Sequence, residues 1–235
     1  MFLEVIDLGR IDYLAAWNLQ KSRLAQIHKH QSAPTLFVCQ HLPVITLGRQ
    51  ASAKSFRVSP EKISACGIPV YQIERGGDIT YHGPEQAILY PVVDLRTLKK
   101  DIHWYLRKLE QIAVETLGDF GLFSKTITGL TGVWVGEKKI ASLGVALKNW
   151  ITYHGLSINV KRGGDQGFSL VRPCGMDIQM ASLEGCLDKD IPMGVFKAAL
   201  IKNFARGFGF EPKTSIYNEG GKHGLTKESG IPKWS

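Results

Sequence analysis

Cysteine is scarce in this sequence and long apolar runs are missing, and both features narrow what the protein can be. The four cysteines, at positions 39, 66, 174 and 186, show neither a CxxC spacing nor a nearby pair of histidines. The absence of both patterns argues against a zinc site and against a disulfide framework, and it favours reduced thiols in a cytoplasmic protein. No apolar stretch approaches the roughly 20 residues that a membrane-spanning helix needs. We therefore expect neither a metal site nor a membrane span.

The short motifs of common nucleotide-binding and zinc enzymes are also missing. The sequence contains no GxxxxGK[ST] phosphate loop, no GxGxxG after a predicted strand and no HExxH. The N-terminal stretch MFLEVIDLGR carries acidic residues and has the pattern of a strand, which predicts neither a secretory nor a transit peptide. No motif in the chain therefore predicts a cofactor.

The net charge of the chain indicates which broad class of partner it favours. The chain carries a net charge of +8 at pH 7, and its basic residues are scattered along the sequence. A basic surface favours acidic partners, which include nucleic acid, membrane headgroups and acidic proteins. No basic run is interleaved with aromatic residues in the manner of proteins that bind single-stranded nucleic acid. Acidic proteins are therefore the favoured partners.

The order of predicted elements favours a single mixed α+β domain. With 44% hydrophobic residues among 235, the chain can bury a sizeable core. Predicted strands span residues 2–8, 35–40, 44–47, 68–73, 88–93, 130–136, 139–148 and 151–159, and predicted helices span 12–30, 60–67, 101–120 and 193–207. Strands in meander order with inserted helices argue against repeated βαβ units. Residues 1–215 are predicted to form the domain, and residues 216–235 a loose polar tail.

The segment from Arg75 to Leu95, with the sequence RGGDITYHGPEQAILYPVVDL, contains the first candidate site. Its two glycines permit positive φ and leave the backbone open to a ligand. Thr80 and His82 stand two residues apart on a short strand, so both side chains face one side and Tyr81 faces the other. A buried strand follows, and a polar edge attached to such a strand is typical of a binding site. A plain hairpin with a hydrogen-bonded histidine explains the same residues.

Cys174, in the sequence RPCG, is the candidate nucleophile. Proline and glycine on either side exclude regular structure there, so the thiol is expected in a loop where it can reach a substrate. Cys39 alternates within a strand and Cys66 ends a helix, which predicts small buried hydrophobic residues at both positions. Nothing in the sequence around Cys186 indicates a role for it. Activation of a thiol needs a cationic neighbour, and without one Cys174 is an ordinary loop residue.

Lys139 is the candidate base. Lys138 and Lys139 open a strand that continues IASLGVAL, so alternation turns one of the two inward. A lysine at the apolar end of a strand loses hydration, which lowers its pKa and makes it usable as a base. The alternative is a solvated pair of lysines in a β-turn.

Four segments together resemble the lipoyl(octanoyl) transferases. They are HLPVITLGR, RGGDITYHGPEQ, KKIASLGVALKNWITYHGLSINV and RPCGM, in the order and spacing of that family, and they cover about residues 36–184. The resemblance implies a mixed sheet flanked by helices, as in the biotin and lipoate protein ligases. One departure is Glu85, which stands where the family usually has glycine, so the local turn and the partner preference at that position are open.

The resemblance also implies roles for individual residues. Cys174 is expected to form an acyl-enzyme thioester that Lys139 activates, and Lys139 or His82 is expected to deprotonate the acceptor amine. Backbone N–H groups near Cys174 or Gly77 are expected to hold the oxyanion. The implied acyl pocket comprises Arg75, Gly76, Gly77, Asp78, Ile79, Thr80, Tyr81, His82, Ser142, Leu143, Gly144, Gly155, Leu156 and Ser157.

The implied reaction needs no cofactor, because a thioester donor is already activated. The implied donor is octanoyl-acyl carrier protein, and the implied acceptors are the lipoyl domains of 2-oxoacid dehydrogenases and the glycine cleavage H proteins. Two alternatives stay open. An ATP-dependent lipoate or biotin ligase of the same fold would need an adenylate site but no cysteine nucleophile. A basic nucleic-acid-binding module would show steeply salt-dependent binding.

Overall fold

A mixed β-sheet with helices on both faces forms the centre of the molecule. The computed structural model describes residues 1–164, 166–173, 178–217 and 224–225. The strands are β1 (Phe2–Ile11), β2 (Thr35–His41), β3 (Val44–Leu47), β4 (Val70–Gln72), β5 (Ile79–His82), β6 (Gln86–Val92), β7 (Val133–Val135), β8 (Lys138–Lys148), β9 (Ile151–Asn159), β10 (Glu211–Ile216) and β11 (Gly224–Leu225). The helices are α1 (Tyr13–His28), α2 (Pro60–Ala65), α3 (Ile102–Asp119), α4 (Leu183–Leu187) and α5 (Met193–Phe208).

The strands separate into two sheets within the described residues. Eight of them follow the order β11-β10-β1-β2-β6-β9-β8-β7, and the other three form a small sheet in the order β4-β3-β5. Strand β1 runs parallel to β2 and β10, whereas β2, β6, β9, β8 and β7 pair antiparallel in turn. The predicted mixed α+β sheet is therefore confirmed. Strands β2 and β3 follow each other in sequence but join different sheets.

Two hydrophobic cores cover the large sheet. On one face α3 and α5 pack against each other and against the strands, and Tyr105, Leu109, Ile112 and Leu117 of α3 are fully buried. On the opposite face α1 contributes Leu24 and Ile27 to a second core. None of the helices in the described ranges combines the length and the apolar character that crossing a bilayer requires.

Two predictions of buried residues are wrong. The sequence of α1 predicts an apolar stripe of Leu14, Trp17, Leu24 and Ile27, but Leu14 is exposed. The buried face of α1 also includes Tyr13, Gln20 and Arg23, and Glu4 forms an ion pair that partly offsets the cost of burying the Arg23 guanidinium. Cys66 is exposed at the C-terminal end of α2.

The C-terminal part of the sheet was not predicted. Strand β10 pairs parallel with β1, with Phe2 opposite Glu211, and its polar composition gives no apolar alternation to reveal it. Gly224 and Leu225, within the predicted tail, pair with β10 as strand β11. Most of the tail lies outside the described residues, so the boundary at residue 216 remains a prediction.

Leu89 tests the central position of β6 in the sheet. This residue is fully buried between β2 and β9, so Leu89→Ala removes packed carbons that the rigid neighbouring strands cannot replace. We expect a loss of about 2–5 kcal/mol in the free energy of unfolding, measured by urea denaturation. The control Leu42→Ala, at a leucine that is 52% exposed, should change it by no more than about 0.5 kcal/mol. Equal losses would contradict the assignment of the core.

Candidate functional site

A cavity of about 620 Å³ lies between the large sheet, the small sheet and the start of α3. Its volume is in the range of about 300–1,000 Å³ that is usual for small-molecule sites. Its walls include most of the residues that the sequence pointed to: Lys139, Arg75, Gly76, Gly77, Asp78, Ile79, Thr80, His82, Ser142, Leu143, Gly144, Gly155, Leu156 and Ser157. The segments 75–82 and 139–157, which are distant in sequence, thus meet in one concave site.

Tyr81 and Cys174 are the two predicted residues that do not line the cavity as described. Tyr81 points to the other side of β5, as strand alternation requires, and its ring contacts Phe168 edge-on at 5.9 Å. Cys174 lies outside the described residues. Its neighbour Pro173 lines the cavity. Further along the chain, the Gln179 carbonyl accepts a hydrogen bond from the Lys139 N–H.

Arg75 crosses the wall where the two sheets meet. Its guanidinium is buried and donates to the Thr46 carbonyl at 2.7 Å and to the Thr46 hydroxyl at 3.0 Å. A Cβ on Gly144 would lie 2.8 Å from the Arg75 side chain, so the glycine of the Ser-Leu-Gly segment leaves room for the arginine. Gly77 has φ of +83°, a conformation that glycine adopts without strain. These contacts explain the arginine and glycines in both predicted segments.

His82 is a neutral histidine with a defined tautomer. The amide nitrogen of Gln86 donates to the Tyr81 carbonyl and to Asn159, so its amide oxygen accepts from His82 Nδ1 at 3.0 Å. The unprotonated nitrogen is then Nε2. Burial, followed by repulsion from His41, lowers the pKa of His82 to about 3. His82 is therefore uncharged near neutral pH and is a weak base.

The most buried end of the cavity is lined by Tyr13, Tyr90 and His154. His41 Nδ1 donates to the Ile11 carbonyl at 2.8 Å, so the Tyr90 hydroxyl donates to His41 Nε2 at 2.8 Å. The backbone N–H of His154, which has φ of +57°, donates to Gln20. Burial lowers the pKa of His154 and lowers the pKa of His41 to about 4. The rings of Tyr13, Tyr90 and His154 that line this end are therefore uncharged.

Sequence reasoning did not identify this end of the cavity. Tyr13 begins α1, Tyr90 lies within an apolar strand, and His154 lies within a strand next to the predicted Gly155. Each of them fits a local pattern of core residues, and only the packing of three separate elements brings them together. The partly exposed apolar residues at the other end were missed for the same reason: Ile102, Leu106 and Leu130.

Lys139 is buried, whereas Lys138 is exposed, as alternation along the strand predicted. The Lys139 ammonium donates to the Thr131 carbonyl at 2.9 Å and lies 5.1 Å from the centre of the Trp134 ring. Its backbone pairs with the segment that follows Cys174, because the Lys139 carbonyl accepts from the Ala181 N–H at 2.8 Å. The loop before β7 therefore supplies one of the contacts that position the ammonium.

The remaining cysteines and Glu85 do not line the cavity. None of Cys39, Cys66 and Cys186 is among the cavity-lining residues, and burial raises the pKa of Cys39 far above its usual range. Glu85 does not have positive φ, so this turn does not require glycine. Its carbonyl accepts from the N–H groups of Val160 and Lys161. Across the described ranges, no group of His, Cys, Asp and Glu side chains is arranged to hold a metal ion.

Comparisons with known proteins agree with this arrangement. Residues 12–205 match the family described as the lipoyl protein ligase A/B catalytic domain. The chain is 39% identical over 208 residues to an octanoyltransferase of Gloeobacter violaceus, covering 88% of this chain and 90% of that protein.

Solved structures support the fold assignment. A lipoate-protein ligase A bound with ATP superposes with a TM-score of 0.76 at 16% identity, covering 93% of this chain and 90% of that one. The biotin protein ligase of Aquifex aeolicus, in complex with biotin and ATP, superposes with a TM-score of 0.54 at 14% identity, covering 88% and 70%. Fold, cavity and sequence similarity lead to one conclusion: the chain belongs to the octanoyltransferases of the lipoyl protein ligase A/B family.

Proposed function

We propose that this protein transfers an octanoyl or lipoyl group from acyl carrier protein to a lysine of a lipoyl domain through a thioester on Cys174. The observation that carries the proposal is the cavity itself, in which Lys139, the glycine-lined wall and Pro173, next to Cys174, meet in an octanoyltransferase chain. The proposed site of action is the cytoplasm. The proposed acceptors are the lipoyl domains of 2-oxoacid dehydrogenases and the glycine cleavage H proteins, and the net charge of +8 suits acidic partners.

The first step forms the acyl-enzyme. Lys139 takes the proton of the Cys174 thiol, and the thiolate attacks the carbonyl carbon of the octanoyl thioester. The bond to the phosphopantetheine sulfur then breaks, and that sulfur leaves as a thiol because the Lys139 ammonium returns the proton to it, which leaves Lys139 neutral for the next step. An ordinary thiol is only a few per cent ionised at neutral pH, and the positive charge of a nearby Lys139 ammonium would raise that fraction. No ATP is consumed, since one thioester replaces another.

The second step moves the acyl group to the acceptor lysine. The acceptor amine attacks the Cys174 thioester, an amide bond forms, and the thiol is regenerated with a proton that comes from the amine. A base must take that proton. His82 is poorly suited because burial lowers its pKa to about 3 and Nδ1 is held by Gln86. Lys139 is therefore the proposed base.

The acyl chain is proposed to lie toward the buried end of the cavity. Seven buried carbons at about 0.8 kcal/mol each would contribute about 5 kcal/mol of binding free energy. The rings of Tyr13, Tyr90 and His154 close that end and carry no net charge, which suits an aliphatic chain. The half-buried end, with Leu130 and Leu143, then faces the carrier and acceptor proteins.

An ATP-dependent ligase is the second candidate, because the structural neighbours include a ligase bound with ATP. The two functions differ in one measurable species. A transferase of the proposed kind carries a covalent octanoyl group after exposure to octanoyl-acyl carrier protein without ATP, whereas a ligase acylates its acceptor only when ATP is present.

Replacement of the nucleophile is the direct test. Cys174→Ser should lose nearly all transfer and show no octanoyl adduct by intact-protein mass spectrometry, because an alcohol of far higher pKa replaces the thiol. Cys186→Ser, at an exposed position on α4, should keep both the adduct and the transfer. Normal turnover by Cys174→Ser would disprove the covalent mechanism.

The two adjacent lysines provide a matched pair for the base. Lys139→Arg keeps a positive charge but cannot accept a proton, since a guanidinium stays protonated. We expect the acyl-enzyme to form and persist, with transfer to the acceptor reduced by about 10²- to 10⁴-fold. Lys138→Arg, at the exposed neighbouring position, should retain normal transfer. Similar losses in both variants would exclude Lys139 as the specific base.

Donor chain length tests the closed end of the cavity. Each methylene adds about fourfold in binding, so hexanoyl-acyl carrier protein should be about 15-fold less efficient than the octanoyl donor. Palmitoyl should hardly be transferred, because forcing extra carbons into a packed site costs more than their burial contributes. Initial rates with the three donors at equal concentration measure this preference. A palmitoyl rate equal to the octanoyl rate would mean that the chain does not end against these rings.

A further inference from the structure

We infer that Glu110 is a positioning residue for Lys139, acting through the single peptide group that joins Thr131 to Gly132. Glu110 lies on α3, outside the predicted site, and the proposed mechanism has not used it. The inference rests on the proposed function only insofar as Lys139 acts in transfer. The contacts that link the two side chains are all within the described residues.

The first contact joins Glu110 to the loop before β7. Its side chain is fully buried, and its Oε1 atom accepts a hydrogen bond from the Gly132 N–H at 2.9 Å. Its other oxygen lies 2.6 Å from Nη1 of Arg107 in an ion pair, although the angle is not that of a hydrogen bond. Burying a carboxylate is unfavourable unless it is paired and hydrogen-bonded, so these two partners account for its presence there.

The second contact joins the same peptide group to Lys139. The Thr131 carbonyl, which accepts from the Lys139 ammonium at 2.9 Å, and the Gly132 N–H belong to one planar unit. Because that unit is rigid, a carboxylate that holds the N–H also fixes the direction of the carbonyl. Hydrogen bonds in such a chain polarise one another, so the carboxylate also strengthens the bond from the ammonium.

Gly132 allows the loop before β7 to approach the Lys139 side chain closely. Its φ is +140°, and a Cβ there would lie 2.4 Å from Cε of Lys139 and 2.9 Å from the Ala141 carbonyl oxygen. Only glycine leaves the loop in contact with the lysine side chain. The loop is thus in van der Waals contact with Lys139 on one side and hydrogen-bonded to Glu110 on the other, which limits where the ammonium can lie.

Three variants test the inference in the full-length protein. Glu110→Gln keeps an oxygen that can accept from Gly132, Glu110→Ala removes it, and Glu115→Gln is the control on the same helix, at a partly exposed carboxylate that pairs with Arg206. Steady-state octanoyl transfer gives kcat and KM. Independently of transfer, the rate at which a small amine-reactive reagent modifies Lys139, followed by peptide mass spectrometry, reports whether the amine is held.

The expected results differ between the variants. Glu110→Ala should lower kcat by about 10- to 100-fold, as a misplaced reacting group does, with little change in KM for octanoyl-acyl carrier protein. Its Lys139 should be modified severalfold faster, because the Thr131 carbonyl is no longer fixed toward the amine. Glu110→Gln should recover most of kcat and the slow modification, and Glu115→Gln should match the original protein in both measurements.

Several outcomes would overturn the inference. Unchanged kcat and unchanged Lys139 modification in Glu110→Ala would exclude a positioning role, and so would equal damage in Glu110→Gln and Glu110→Ala. If Glu110→Ala does not fold, Glu110→Gln decides the matter, because a kcat as low as that of Lys139→Arg, or a severalfold faster modification of Lys139 than in the original protein, contradicts a role as acceptor. If the original protein transfers no octanoyl group, the proposed function fails, while the modification rates still decide whether Glu110 holds the lysine.

Discussion

The antiparallel pairing of β8 with β9 is the constraint on which the site depends. It places Gly144 opposite Gly155 and Ser142 opposite Ser157. A Cβ on Gly155 would lie 2.2 Å from the Leu89 carbonyl oxygen, and one on Gly144 would meet the Arg75 side chain. Because a shift of one residue would turn every side chain to the opposite face, this register determines which groups enter the cavity.

The same strands connect the two sides of the cavity through buried hydrogen bonds. His82 donates to Gln86, Gln86 donates to Asn159, and Asn159 donates to the Ala181 carbonyl. The Ala181 N–H in turn donates to the Lys139 carbonyl. Fully satisfied networks of this kind are rigid, since breaking one bond leaves a buried polar group without a partner. The proposed base thus lies on a strand that is tied to the opposite wall.

Charge is unevenly distributed around the cavity. The imidazoles of His41, His82 and His154 are held neutral by burial, whereas the buried cations, Arg75 and Lys139, are both bonded to backbone carbonyls. A buried cation is unfavourable unless it is hydrogen-bonded, so these carbonyl oxygens help to stabilise both charges in the wall of the cavity. The aliphatic chain is proposed to lie against the uncharged rings of Tyr13, Tyr90 and His154.

Most of the helices and strands could be predicted from the sequence because the patterns that specify them span only a few residues. Caps, alternation and glycine positions act within a few residues, and they predicted α3, β8, β9 and the inward orientation of Lys139. The resemblance extended that to the pocket, whose glycines and Arg75 do line one cavity. Strand β10 was not predicted because it is polar and its partner β1 is about 200 residues away in sequence.

Only the tertiary structure decided which distant groups meet. Tyr13, Tyr90 and His154 each fit an ordinary core pattern in their own element, and Glu110 fits the polar side of a helix. Their roles arise from the way α1, α3 and the two sheets pack around one space, and no local pattern encodes that packing. The sequence by itself determined the chemistry available in each segment, whereas the tertiary structure decided distances, tautomers and burial, because these depend on contacts between residues far apart in the chain.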